Sequence, residues 1–312
     1  MNSVLVTGAT GKSGLYFLKT IRDMQDRLAD YTFEFIVRNE EKGQIVKSYL
    51  PNSRVHIGDL NDGTFIISVF NEGNYNTLLH ISGILQSPKI TKAAVDNGVD
   101  WLILVHTTGI YSKNKTEGEL YRQIENKIEE YIADKNTALT ILRPTMIYGT
   151  QRDNNMSVFV KMVDRLRIFP TVNGAKCEIQ PVSCGDLGKA YYQVLVNSEK
   201  TKNKNYNLSG AEPIKLRDMF KLIAAQLGVK NTFISVPFPI AYAGAWLMYL
   251  LSFKKKDYRE KVRRLVEPRV YSHKEATEDF DYAPVRFEDG VKPLIEEYKV
   301  LKSILNGGGK AK

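Results

Sequence analysis

Gly8, Gly11 and Gly14 are the residues whose type and spacing most directly imply chemistry. They follow a short apolar strand (Val4, Leu5, Val6) and precede a helix whose Leu15, Leu18 and Ile21 share one face. Strand, glycine turn and helix N-terminus stand in the order that a dinucleotide pyrophosphate requires. The unpaired N–H groups and the positive end of the helix dipole face the phosphates. Glycine keeps Cβ atoms away where backbone, ligand and helix approach closely. The spacing is G-x-x-G-x-x-G, with Thr10, Lys12 and Ser13 between the glycines, and it differs from the G-x-G-x-x-G of two-halved dehydrogenases.

A second chemical signal closes the next strand, which ends Ile36-Val37-Arg38-Asn39. NAD-selective sites place an acid here, on the ribose 2′-hydroxyl. A guanidinium suits a 2′-phosphate instead, both as charge and as a forked donor. Lys12 adds a further cation. The expected cofactor is therefore NADP in preference to NAD.

The elements that must hold these residues alternate. Strands are expected at 33–37, 54–57, 77–81, 101–105 and 138–142, with helices at 89–97 and 120–133 between them. Trp101 to Val105 is a nearly continuous apolar run, as a strand buried in a parallel sheet should be. This alternation predicts right-handed β-α-β crossovers and an α/β, doubly wound parallel sheet of Rossmann-like type, with ligands at the C-terminal strand ends. After Gly149 the pattern changes. Residues 152–161 turn helical, 169–174 are expected as loop, 186–196 as helix, 206–208 as strand and 216–227 as an amphipathic helix. The expected organisation is a nucleotide-binding domain over 1–150, rejoined by about 180–210. A smaller, mostly helical C-terminal substrate lobe takes 151–179 and 211–305, and 306–312 is a flexible tail.

Composition bounds the class. The chain has 312 residues, 43% hydrophobic and 25% charged, ordinary for a globular protein. Its N-terminus enters a core strand directly, so no signal peptide is expected. Cys177 and Cys184 form no metal-type C-x-x-C, which points to a reducing, cytoplasmic compartment. The four histidines lack metal-ligand spacing; they are expected to be single packed or surface residues, and no metal is expected. A net charge of +9 favours anionic partners. No nucleic-acid-binding signature accompanies it, so nucleic acid is not an expected partner. Residues 238–253 are apolar almost throughout, and Lys254-Lys255-Lys256, Arg259, Lys261, Arg263 and Arg264 follow. Three readings stand: a buried helix beside a solvated basic one, peripheral membrane contact through 238–264, or a transmembrane span, for which the run falls short of about 20 residues.

Together these segments resemble the extended and atypical short-chain dehydrogenase/reductase superfamily, in particular its NAD(P)-dependent epimerase/dehydratase branch. Thr7-Gly-Ala-Thr-Gly-Lys-Ser-Gly14 resembles the T-G-x-x-G-x-x-G motif. Gly58-Asp59-Leu60 resembles the acid-plus-apolar pair that meets adenine, and His80-Ile81-Ser82-Gly83 the H-x-A-G segment beside the cofactor. Thr107 to Tyr111 resembles the catalytic Ser/Thr strand end, and Arg143-Pro144 to Tyr148-Gly149 the R-P-x-x-x-Y-G stretch near the nicotinamide. Gln180 to Leu187 and the ending Tyr282 to Gly290 match in the same order. The resemblance implies cofactor contacts from Gly8, Thr10, Gly11, Lys12, Ser13, Gly14, Arg38, Asp59, Leu60, Ser82, Gly83 and Pro144.

It also implies catalysis by Thr107 and Tyr121. The family pairs Tyr-x-x-x-Lys on one helix face, where the lysine activates the tyrosine and holds the nicotinamide ribose. The segment in that place is Tyr121-Arg-Gln-Ile-Glu125, so the motif is degraded. Glu125 removes the activating cation but could bond the ribose hydroxyls. A literal Tyr-x-x-x-Lys, Tyr111 to Lys115, lies in a polar stretch without an apolar stripe. Nucleotide-sugar epimerases carry an arginine clamp shortly before the segment resembling Gln180 to Asp186. Here that neighbourhood is Lys176-Cys-Glu-Ile-Gln180; Arg152, Lys161, Arg165 and Arg167 are the cations left for an anionic substrate. The implied function is an NAD(P)-dependent epimerase, dehydratase or reductase acting on a small hydroxyl- or carbonyl-bearing substrate, sugar derivatives included. The other implied function is a non-catalytic NADP(H)-binding sensor or scaffold of the atypical branch, which Glu125 favours.

Overall fold

The computed structural model of the chain describes residues 2–114, 116–153, 155–255 and 257–307. Strands β1 (Asn2–Thr7), β2 (Tyr31–Val37), β3 (Arg54–Ile57), β4 (Thr77–His80), β5 (Trp101–Val105) and β6 (Ala138–Pro144) join Asn205–Leu208 in one seven-stranded sheet. The order is Asn205–Leu208, β6, β5, β4, β1, β2, β3, and every neighbouring pair is parallel. Because side chains alternate across a strand, a strand covered on both faces must be apolar at consecutive positions. In β5, Trp101, Ile103 and Val105 enter one core layer and Leu102 and Leu104 the other.

Helices Lys12–Asp23 and Cys184–Val196 cover the first layer; Gly63–Glu72, Ser87–Asp96 and Gly118–Ile132 cover the second. The first two cross closely: a Cβ on Gly188 would stand 2.5 Å from the Tyr16 carbonyl carbon. The chain is thus the expected doubly wound α/β fold. Strand order reverses at β1, with β2 on one side and β4 on the other. That reversal opens a crevice beyond the C-terminal ends of β1 and β4, where such sheets bind ligands.

A third core lies among the helices Met156–Arg165, Leu216–Leu227 and Lys292–Gly307, around Val160, Phe220 and Ile295. Three expectations are corrected here. Within the expected loop 169–174, Ile168–Val172 forms a strand parallel to Thr232–Val236, with Pro170 inside it. A two-stranded ribbon leaves each strand an unpaired edge, where proline's missing N–H is tolerated. The apolar segment forms the helix Phe238–Leu251, but only Ala245 in it is buried. The element packed along it is the short helix Arg259–Arg264, too little to cover it. No helix among the described residues is long and apolar enough to cross a membrane. The helix Lys292–Gly307 continues through Asn306 and Gly307, expected as tail; 308–312 lie outside the described residues.

Candidate active site

The glycine turn has the form its spacing implies. Gly8 adopts a positive φ of 77°. A Cβ there would stand 2.6 Å from the Ser82 backbone nitrogen, and one on Gly14 would stand 2.2 Å from the Gly8 carbonyl oxygen. The Gly11 N–H donates to the Gly8 carbonyl at 2.9 Å, closing the turn. Gly11 then caps the helix Lys12–Asp23, with no side-chain cap and no acid in the first turn. The positive end of the helix dipole is therefore uncompensated.

His80 pins the turn to the neighbouring strand. Its Nε2–H donates to the Gly83 carbonyl (3.0 Å), so Nδ1 accepts from the Thr7 hydroxyl (2.7 Å). Burial pushes the imidazole down to about 4, so it is neutral and holds this tautomer. Each of the other histidines is likewise hydrogen-bonded in place: His56 to Glu34, His106 to Ser87 and His273 to Ser209.

A groove of about 350 Å³ runs along the turn. Of the residues expected to hold cofactor, Gly8, Thr10, Gly11, Lys12, Ser13, Arg38, Leu60 and Ser82 line it. Gly14 lies beneath the turn, buried. Gly83, next to Ser82, receives the His80 bond. Asp59 sits between two lining residues, but its carboxylate is turned to the Asn61 N–H (2.9 Å) and side-chain amide (3.0 Å). Pro144 is a buried strand end whose carbonyl accepts from Thr108, while Thr145 and Met146 face the neighbouring pocket. Lys42 also lines the groove and was not foreseen; Ile147, within the Arg143–Gly149 stretch, lines it too.

Lys12 and Ile147 belong at once to the groove and to an adjoining pocket of about 250 Å³. Thr107 lines that pocket. Its Oγ1 accepts from the Gly109 N–H (3.0 Å), leaving its own proton for another acceptor. Arg264, Arg269 and Tyr271 line it too. The Nε of each arginine is buried without a partner. Burial, and then the adjacent Arg264, hold Arg269 below its ordinary pKa, yet a guanidinium stays charged. Glu267, between them in sequence, binds the Ser112 hydroxyl (2.8 Å) and the Lys113 N–H (2.9 Å). Both arginines are half-buried, Glu267 acts on Arg269 without an ion pair within 4 Å among the described residues, and guanidiniums so placed can receive an anion. The cations expected in that role, Arg152, Lys161, Arg165 and Arg167, are exposed and line neither groove nor pocket. No spacing links 264 or 269 to residue 107; only the fold brings them together.

No family model matches the chain. It is 22% identical over 287 residues to the N-acetyl-alpha-D-glucosaminyl-diphospho-ditrans,octacis-undecaprenol 4-epimerase of Escherichia coli O157:H7, covering 80% of each chain. It superposes on the UDP-glucose 4-epimerase of Thermotoga maritima, solved with UDP-glucose, at a TM-score of 0.71 and 16% identity, over 96% of this chain and 99% of that one. An NADPH-dependent quinone oxidoreductase of Escherichia coli superposes at 0.68 and 17% identity, over 95% and 99%. The fold is that of these epimerases.

Within the epimerase fold, the helix Gly118–Ile132 departs from the resembled chemistry. Glu125 is buried, with Arg143 Nη2 at 2.5 Å and His106 Nδ1 at 2.9 Å. Burial alone would raise this carboxyl, but the bonds from His106 and Arg143 outweigh it and hold the pKa below the usual range. Both its oxygens are engaged by His106 and Arg143 inside the protein. His106 is depressed by burial and donates Nδ1–H to Glu125 while Nε2 accepts from Ser87 (2.9 Å). Tyr121 is half-buried against the core layer of that helix and is absent from the residues lining groove and pocket. Tyr111 bonds Asn207 (3.3 Å) and packs on the Tyr271 ring at 5.3 Å; Lys115 lies outside the described residues.

Proposed function

We propose that this chain is an NADP(H)-dependent epimerase or reductase whose substrate is a sugar derivative bearing a phosphate or diphosphate. The observation that carries the reading is continuity: Lys12 and Ile147 line both the glycine-turn groove and the pocket of Thr107, Arg264 and Arg269. Gly8, Thr10, Gly11, Lys12 and Ser13 would hold the pyrophosphate, Leu60 the adenine, and Arg38 with Lys42 the 2′-phosphate. Ser82, Gly83 and the segment after Pro144 would border the nicotinamide. When bound, that cofactor supplies hydride exchange. The Thr107 hydroxyl polarises the substrate oxygen, and Arg264 with Arg269 grips the anionic end and so orients the reacting carbon. A relative named for a diphospho-linked sugar and an epimerase fold solved with UDP-glucose fit this choice.

The test is turnover of UDP-glucose and UDP-N-acetylglucosamine in the presence of NADP, with product analysis. Arg269→Gln should raise KM about tenfold to a hundredfold, since it removes a charged hydrogen-bonding group. Thr107→Val should lower kcat about a hundredfold with little change in KM. An unchanged KM in the arginine variant removes the anion clamp. Tight NADPH binding without turnover of either sugar nucleotide removes this substrate class and leaves the nucleotide site standing.

A further inference from the structure

The helix Phe238–Leu251 lines neither the groove nor the pocket, and its largely apolar surface is left uncovered. Ile240 is 63% exposed, Leu247 56%, Leu251 68% and the following Phe253 87%. Tyr242, Trp246, Leu247 and Leu250 recur at three- and four-residue intervals and line one open groove along the helix. Contiguous apolar surface of this kind marks a docking face.

Its surroundings identify the occupant. Residues 252–264 carry basic side chains at seven positions and acids only at Asp257 and Glu260. Lys254 and Lys255 stand exposed at the end of the apolar helix. The Arg259 guanidinium lies over the Tyr249 ring (4.1 Å) and the Trp246 ring (5.3 Å), and Arg263 lies over Tyr242 (5.0 Å). Aromatic rings between an apolar face and a cationic rim match the headgroup level of a bilayer. The helix is 14 residues long, about 21 Å at the usual rise, too short to span and suited to lying in the interface. A second copy docked by the same face would bring two basic rims together, which an isologous interface would have to bear.

The geometry points to a peripheral membrane site: the helices Phe238–Leu251 and Arg259–Arg264 dock on an anionic phospholipid surface. The docking face and the substrate pocket share one short helix. Arg263 lies over the apolar helix while its neighbour Arg264 lines the pocket. Glu260 and Glu267 tie this segment to Thr116 (2.7 Å) and Ser112 (2.8 Å) beside the pocket. Docking therefore brings the pocket close to the lipid surface.

Co-sedimentation of the full chain with phosphatidylglycerol and with phosphatidylcholine vesicles tests this, with sedimentation velocity of the free protein alongside. Binding is expected on the anionic vesicles and to weaken with salt. Leu247→Glu with Leu251→Glu should lower the apparent vesicle affinity at least about a hundredfold, since each removes one inserted leucine. Both residues are exposed, so the thermal midpoint should not move. Lys254→Glu with Lys255→Glu should reduce binding to phosphatidylglycerol alone. Three results would overturn the site: no binding to anionic vesicles at low salt, equal binding by the leucine variant, or a wild-type dimer that the leucine variant makes monomeric.

Discussion

Glu125 occupies the position at which the resembled enzymes carry lysine, and its partners define its work. The carboxylate neutralises Arg143 and fixes His106 within the second core layer. Removing one member of a buried ion pair strands the other charge, at about 3–5 kcal/mol. Glu125→Gln should therefore lower the unfolding free energy by that amount, read as a lower urea midpoint, while leaving NADPH affinity within about threefold. Glu125→Lys should be worse still, because it sets a second cation against Arg143 rather than restoring a catalytic lysine. A midpoint unchanged in the glutamine variant would contradict the structural role. At this scale the sequence was legible where chemistry is local. The glycines, Thr107 and Arg38 declare themselves by their place after a strand. Arg264 and Arg269 did not, because Lys12 and Thr107, with which they share the pocket, lie more than a hundred residues away and their neighbours in sequence read as a basic surface.

His80 couples two elements, the C-terminal ends of β1 and β4, between which the groove opens. The unfolded chain protonates this imidazole near 6.5 and the folded chain near 4. Its contribution is complete above about 6.5 and is lost as pH falls between those values, at about 1.4 kcal/mol per pH unit. Urea unfolding of the wild type and of His80→Gln between pH 7 and 4.5 should show the gap between them narrowing as pH falls. A constant gap would mean that His80 does not titrate as buried. Elements with a strong period were legible in the sequence. Trp101–Val105 and Leu216–Leu227 stand at the expected residues, since a strand buried on both faces and an amphipathic helix each carry a distinct pattern. The Ile168–Val172 strand was not, because its burial alternates but its residue types do not: apolar Ile168 is exposed, polar Thr171 is buried, and Pro170 argues against a strand. The fate of Phe238–Leu251 was not legible either. Hydropathy says that such a helix leaves water, not what it enters.

Over the whole molecule, part of the excess positive charge is concentrated in three places. Lys12, Arg38 and Lys42 gather at the groove, Arg264 and Arg269 at the pocket, and the remaining basic rim beside the apolar helix. Strand order, not local sequence, decides where the groove cations gather, since the reversal at β1 and β4 opens the crevice that Lys12, Arg38 and Lys42 line. The central claim is that the glycine turn and Arg38 bind NADP(H). Calorimetric titration of the full chain with NADPH and with NADH, repeated on Arg38→Asp, tests it most directly. The account predicts NADPH binding at least about tenfold tighter than NADH in the wild type, from the charged hydrogen bonds of the guanidinium, and a reversed preference in the variant. Binding of neither cofactor, or a preference unmoved by Arg38→Asp, would contradict it.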